Sequence, residues 1–329
     1  MSDETRQSSQ CLQQEEAAVQ RIVQCLTSQG YRCTDIISHT RSMWSRGSQS
    51  VVLSLVDDIW DCASDRSQDT PYLFDANTQV ITDNWINSPT VYSVVRLPNS
   101  FYGIYFYQPA DQNWQPSRDY TFAVNRIQFL RMRILAELHQ HLGFDRGHVN
   151  FNCEAGPNTD AKKNFLDQLI YATDQEVPVF QQLAKSMPLK NYSVSHEQAY
   201  THSWLNITVE TYSSDNVIAL SEKIFRCLVT PVPWIVYSGR YTISHLRSLG
   251  FDVLDNVVDH GYDRVAEANN KMSQFVDCAK ATINAVKQHN WNNIQQRCWA
   301  AAQHNQHRLA EMKTAWPADF DAWLSDRIT

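Results

Sequence analysis

The sequence predicts an α/β protein of two domains, the second built on a parallel, doubly wound sheet, with a helical C-terminal tail. Three observations carry that reading. The 329 residues are about twice a usual domain. Between residues 120 and 255, short β-branched or aromatic runs alternate with stretches of helical period, the pattern of a sheet wound with helices. From Arg264 onward the strand-like runs cease, and residues rich in Ala, Gln, His and Trp read as helices to the end. A 43% apolar fraction supplies a large core, and 19% charged residues is too few for a disordered chain.

Taken in order, residues 12–29 carry Ala17, Val19, Ile22, Val23 and Leu26 near helical spacing, with Gly30 as the stop. Val51 to Val56 is a continuous apolar run ending in Asp57-Asp58, as a buried parallel strand often does. Thr78 to Ile81, Thr90 to Leu97 and Phe101 to Phe106 read as further strands. Residues 108–118 hold two prolines and no periodicity, so the first domain is placed at 1–117. Tyr120 to Val124 is a strand ending at Asn125, followed by a helix to about Leu142 with Gly143 as its end. On that helix Arg131 falls inside the apolar arc of Ile127, Leu130, Ile134, Leu135, Leu138 and Leu142, while Arg133 points away. An arginine there needs either a salt bridge or an anionic ligand at a cleft mouth.

Val149 to Phe151 is a strand, and Ala161 to Ala184 is mostly helical with a break near Pro178. Trp204 to Thr211 alternates as a strand should and delivers Glu210 at its carboxyl end. Ser221-Glu222-Lys223 opens a helix, with Ser221 as its cap. Pro231 to Tyr237 is the next strand, with Ser238-Gly239 as its exit. Thr242 to Leu249 is a helix stopped by Gly250, and Phe251 to Leu254 a last short strand. The second domain is thus 118–265 and the tail 266–329.

Several function classes lose ground. No G-x-G-x-x-G or G-x-x-x-x-G-K-[ST] string is present among only nine glycines, which removes the simplest dinucleotide and P-loop readings. A net charge of −7 disfavours non-specific nucleic-acid binding, although Arg126, Arg131 and Arg133 leave room for a local basic cleft. No apolar run approaches the roughly 20 residues that span a bilayer, and no signal core opens the chain. A soluble, cytoplasmic protein with no membrane partner is the expectation. The eight cysteines lack C-x-x-C spacing and read as reduced, packed thiols. His139, His141 and His148 are no recognised ligand set, so no metal is expected.

In a parallel sheet, ligands sit beyond the carboxyl ends of the strands. Asn125, Glu210 and Gly239 fall on that edge, Ser221-Glu222-Lys223 begins a helix facing it, and Arg131 lies early in another. A carboxylate, two cations and a helix start suit a ribose and a diphosphate.

At these residues the sequence resembles the fucosyltransferase-like glycosyltransferases. The carrying stretch runs from Val209-Glu210-Thr-Tyr through Ser221-Glu222-Lys223 to Pro231-Val-Pro-Trp234, against a family pattern of Glu-Asn-Ser, then Thr-Glu-Lys, then a proline-bearing strand. Ala123-Val-Asn125-Arg126 with Arg131, Phe144 to Phe151, Ser244 to Asp255 and Asp259-His-Gly-Tyr-Asp263 resemble further segments of the module, which also occurs in bacteriophage proteins. The resemblance covers about 118 to 263 and departs from the pattern at the Thr-Tyr after Glu210.

The resemblance implies a GT-B-like fold: two Rossmann-like domains with a deep cleft, the nucleotide sugar on the second and the acceptor on the first. It implies that Arg131 and Lys223 grip the diphosphate, Glu222 the ribose, and that Glu210 lies near the sugar or base. Such enzymes need no bound metal or other cofactor, and the nucleotide-diphosphate sugar is a co-substrate. The acceptor hydroxyl calls for a general base, for which Asp57 and Asp58 are the candidates, a turn or cap being the alternative. Asp259, Tyr262 and Asp263 either touch the donor or start a helix. The acceptor reading leads with a hydroxylated cytosine in bacteriophage DNA, that is, DNA modification; a glycan is the alternative, as is a catalytically silent nucleotide- or carbohydrate-binding protein. Trp44, Trp60, Trp85 and Trp114 are candidate sugar- or base-stacking residues.

Overall fold

The computed structural model describes residues 20–38, 41–54, 78–82, 85–86, 93–96, 116–124, 129–143, 145–151, 169–174, 176–178, 180–181, 196–210, 217–218, 220, 222–288 and 291–327. The protein is mixed α/β. Its chain divides into two compact units, one of Met1–Phe106, Asn216–Ala219 and His307–Thr329, the other of Tyr107–Asp215 and Leu220–Gln306.

In the first unit, helix α1 (20–28) buries Ile22 and Leu26, one turn apart. It ends at Gly30, whose φ of 81° lets its N–H reach Thr27 O at 3.0 Å and Tyr31 N–H reach Leu26 O at 3.0 Å. This pair of bonds closes a helix through a left-handed residue. A five-stranded sheet follows, in the order β1 (Arg32–Ser38), β2 (Arg41–Arg46), β3 (Gln49–Ser54), β4 (Thr78–Thr82) and β6 (Ser93–Arg96). β3, β4 and β6 run parallel, whereas β1, β2 and β3 are joined antiparallel. The predicted apolar run is therefore a parallel strand on one side only. β1 and β2 were not expected, because Arg32 to Arg46 is polar and alternates weakly; Gly47, at φ 63°, supplies the tight turn into β3. Trp44 pairs with Val51 and is buried, so it is a core residue and offers no face for stacking. A small pair, β5 (Trp85–Ile86) with β10 (Val217–Ile218), completes the unit's described strands. The strand expected at 101–106 lies outside the described residues, as do Trp60 and Trp114.

The second unit is a four-stranded, wholly parallel sheet in the order β11 (Trp234–Tyr237), β9 (Ser203–Val209), β7 (Arg118–Val124), β8 (Gly147–Phe151). Residue alternation separates its two faces. Tyr120, Phe122, Leu205, Ile207, Val209, Ile235 and Tyr237 join one buried cluster with α2 (Phe129–Leu142) and α6 (Ala268–Gln288), which contribute Ile134, Leu135, Leu138, Phe275 and Ala279. The intervening positions bond to helices instead. Thr121 and Ser203 donate to Ala199 O, and Asn206 Nδ2 to Tyr200 O at 2.9 Å, both acceptors on α3 (His196–Thr201). Thr208 Oγ1 meets Cys227 Sγ of α4 (Glu222–Val229) at 3.2 Å. Helices thus cover both faces, and β9 is buried at nearly every position because it is central.

Two further expectations are corrected. Residues 251–254 form no strand: their polar groups are taken by side chains, with Asp252 N–H on Asn305 Oδ1 at 2.7 Å and Leu254 N–H on Asp252 Oδ1 at 2.9 Å. Asn305, on α7 (Trp291–Arg327), also donates to Leu228 O and Asp252 O. Residues 172–174 are non-helical and Pro178 stands within the helical stretch 176–178, so the described break precedes Pro178; Glu176 Oε2 accepts there from Thr173 N–H at 2.9 Å. Cys227 and Cys298 are buried, which pushes both thiols up to about 12. No described helix is long and apolar enough to cross a membrane.

At the amino edge of this sheet, Asp119 is bonded to both Arg146 and Lys287, tying β8 and the end of α6 to β7. His148 sits nearby, 5% exposed, its Nε2 3.3 Å from Ser117 Oγ. Burial, with help from the positive charge of Arg118, lowers its pKa from 6.5 to about 4. A histidine kept neutral in the fold contributes stability that is full above pH 6.5 and declines as pH falls toward 4. Urea midpoints measured from pH 7.5 to 4 should fall along that limb, and His148→Gln should flatten it.

Candidate functional site

Strand order fixes where a ligand can approach. The chain passes from β7 outward to β8, then returns across β7 to β9 and on to β11, so the winding reverses between β7 and β9. In parallel sheets the helices on either side of such a reversal leave a crevice at the carboxyl ends.

Arg131 stands at that point. It lies in the first turn of α2, the helix that follows β7, and it is 2% exposed. Its Nη2 donates to Val209 O, the last carbonyl of β9, at 3.2 Å. The helical period that put Arg131 on the apolar face thus carries its guanidinium across the switch point. Glu210, the next residue, is 1% exposed, and its N–H extends the ladder to Tyr237 O at 2.9 Å. Arg133 points the other way as expected, paired with Glu176 at 2.6 Å and bonded to Asn269.

At the end of β11, Ser238 and Gly239 are buried, and Thr242 Oγ1 lies 3.1 Å from Ser238 Oγ and donates to Gly239 O at 2.7 Å. Lys271, on the first turns of α6, is 2% exposed and donates to Ser238 O at 2.7 Å. Its ammonium also lies 5.2 Å from the centre of the Tyr237 ring. This second buried cation was missed in the sequence, although a signal existed. Lys271 shares a helical stripe with Phe275, where a solvent-facing lysine would not fall.

The aspartates of the 259–263 segment act as caps. Asp263 Oδ2 accepts from Ile243 N–H at 3.2 Å and Ser244 N–H at 3.4 Å, at the start of α5 (Thr242–Ser248). Burial raises its pKa, against the pull of those bonds and of Lys271. Asp259 Oδ1 accepts from Gly261 N–H at 2.9 Å. Glu267 does the same for α6, accepting from Asn269 and Asn270 N–H.

Asp263 also lines a pocket of about 450 Å³ with Arg247, Asp255, Asp259, His260 and Arg264. Arg247 forms a two-bond pair with Asp255, holding that carboxyl below its usual range. Burial lowers the pKa of His260, whose Nε2 meets Val253 O at 2.8 Å. The wall is therefore polar and rigidly bonded, with carboxylates able to accept from hydroxyl groups and guanidinium groups able to donate.

Of the other residues singled out in the sequence, Lys223 lies in the first turn of α4, partly exposed, and Glu222 opens that helix. Asn125, Ser221, Asp57 and Asp58 lie outside the described residues. Among the described residues, no group of three or more His, Cys, Asp or Glu could hold a metal ion.

Lys271→Met should lower stability in urea by about 2 kcal/mol, since a charged hydrogen bond to Ser238 O is lost. It should also raise the titration midpoint of Asp263, read by carboxyl-carbon NMR, because a neighbouring positive charge is gone. No protein-family model, curated protein or solved structure matches this chain.

Proposed function

We propose that the protein is a glycosyltransferase that takes a nucleotide-diphosphate sugar on the carboxyl edge of the second unit's sheet and passes the sugar to an acceptor hydroxyl. The observation that carries this reading is Arg131, a buried cation held to the last carbonyl of β9 where the strand order reverses. Burying a guanidinium is costly unless it is well bonded, and the position is the one where a diphosphate would meet it. Lys271 and Glu210 at neighbouring strand ends, and Lys223 in the first turn of α4, supply further charges suited to phosphates and ribose hydroxyls.

In this reaction the acceptor oxygen forms a bond to the anomeric carbon while the bond from that carbon to the diphosphate oxygen breaks. The nucleoside diphosphate departs with the electron pair, and a general base receives the acceptor's proton. Arg131 and Lys223 offset the charge that builds on the leaving diphosphate. Asp57 and Asp58 remain the proposed bases. A GT-B-like arrangement is the fold reading that accompanies this assignment, with β3, β4 and β6 as the parallel part of the acceptor-side domain. The leading acceptor is a hydroxylated cytosine in DNA; a net charge of −7 suits a glycan better.

A second reading, nucleotide or carbohydrate binding without turnover, is favoured by one observation: Thr-Tyr follows Glu210 where the resembled enzymes carry Asn-Ser.

A thermal-shift series with UDP, GDP and their sugars tests both. A ligand at 100 times its Kd stabilises by about 2.7 kcal/mol, a shift of several degrees. The wild type should show that shift with a cognate nucleotide and Lys223→Ala should lose most of it. Absence of a shift with every nucleotide and nucleotide sugar overturns the donor site. Transfer of label from the stabilising sugar to hydroxymethylcytosine DNA or to a glycan separates turnover from silent binding.

A further inference from the structure

Tyr241 occupies a backbone conformation that its side chain makes expensive. Its φ of 68° and ψ of 14° are left-handed, at a cost of about 1–2 kcal/mol that glycine would not incur. Among the described residues, Leu254 is the other non-glycine with positive φ, and it is 2% exposed, its side chain within the core. Tyr241 has no such return: it is 41% exposed, one of two large hydrophobic residues standing out from the described surface. The surrounding backbone over-determines the strained geometry. Tyr241 N–H donates to Asp263 O at 3.0 Å, and Tyr241 O accepts from His245 N–H at 2.8 Å. Strain held in this way, around a side chain that adds little to the core, marks a position where the side chain has another use.

Its location and neighbour identify that use. Tyr241 lies three residues beyond Ser238, whose carbonyl holds Lys271, so the ring belongs to the same strand end as the buried cation. The Arg240 guanidinium carbon lies 4.9 Å from the centre of the Tyr241 ring. A planar cation over an aromatic face forms a flat, layered pair, and flat heteroaromatic rings stack on both components.

We infer that Arg240 and Tyr241 form the platform on which the nucleobase of the bound nucleotide stacks, beside the cations that suit its diphosphate. This rests on the donor-site reading above and adds the recognition of the base to it. Stacking of this type is tolerant of base identity, so UDP and GDP both use it. A ligand with phosphates but no base does not.

Calorimetric titration of wild type, Tyr241→Phe and Tyr241→Gly with UDP, GDP and inorganic pyrophosphate tests the assignment. Tyr241→Gly should bind the tighter nucleotide about 10-fold more weakly, keep its pyrophosphate affinity, and melt no lower than wild type because the left-handed strain is relieved. Tyr241→Phe, which retains the ring, should bind as wild type does. Unchanged nucleotide affinity in Tyr241→Gly, an equal loss for pyrophosphate, or a lower melting temperature overturns the platform and leaves the donor site standing. Failure of the wild type to bind any of the three ligands overturns both.

Discussion

Asp263 places one carboxylate where three elements meet. Its oxygen accepts from the first N–H groups of α5, its own carbonyl accepts from Tyr241, and Lys271 of α6 stands close enough to lower its proton affinity. The exit of β11 and the start of α5 are therefore both bonded to one residue. Burial works against this arrangement by raising the carboxyl's pKa, while the bonded N–H groups and the nearby Lys271 pull it back down. The geometry of Ser238, Gly239 and Tyr241 depends on that balance.

The two faces of the second sheet solve different problems. One is a conventional apolar contact with α2 and α6. The other sets Thr121, Asn206 and Thr208 against α3 and α4, each polar group bonded within a buried layer. Apolar contact is non-directional and tolerates sliding, whereas a bonded layer fixes helices in one register. The carboxyl edge gains from this, because α2 and α4 deliver Arg131 and Lys223 to it from opposite faces.

How much of this was legible in the sequence follows from which forces are local. α2, β9, α4, β11 and α6 announce themselves through periodicity, and Gly30, Gly143 and Gly250 mark helix ends through their positive φ. Arg131 was visible as a charge inside an apolar arc. The β1–β2 hairpin was not, because its pairing lies in backbone bonds between polar residues. The non-strand at 251–254 was equally hidden, since Asn305 lies far along the chain and its claim on Asp252 is a tertiary fact. Lys271 could have been found by the test applied to Arg131. Tyr241 could not, because nothing in a tyrosine's identity signals a left-handed backbone.

The buried thiols have a chemical meaning beyond packing. Cys227 and Cys298 are solvent-shielded, and burial, which pushes both thiols up to about 12, keeps them in the protonated form at pH 7. Thiolate is the reactive form, so these side chains are inert toward alkylating and oxidising agents while the fold is closed. Cys227 lies beneath β9 against Thr208, and Cys298 on α7 near the asparagine that holds residues 252–254. Each therefore serves as an internal clock: the rate at which it becomes chemically reactive measures how often its own layer of the second unit opens.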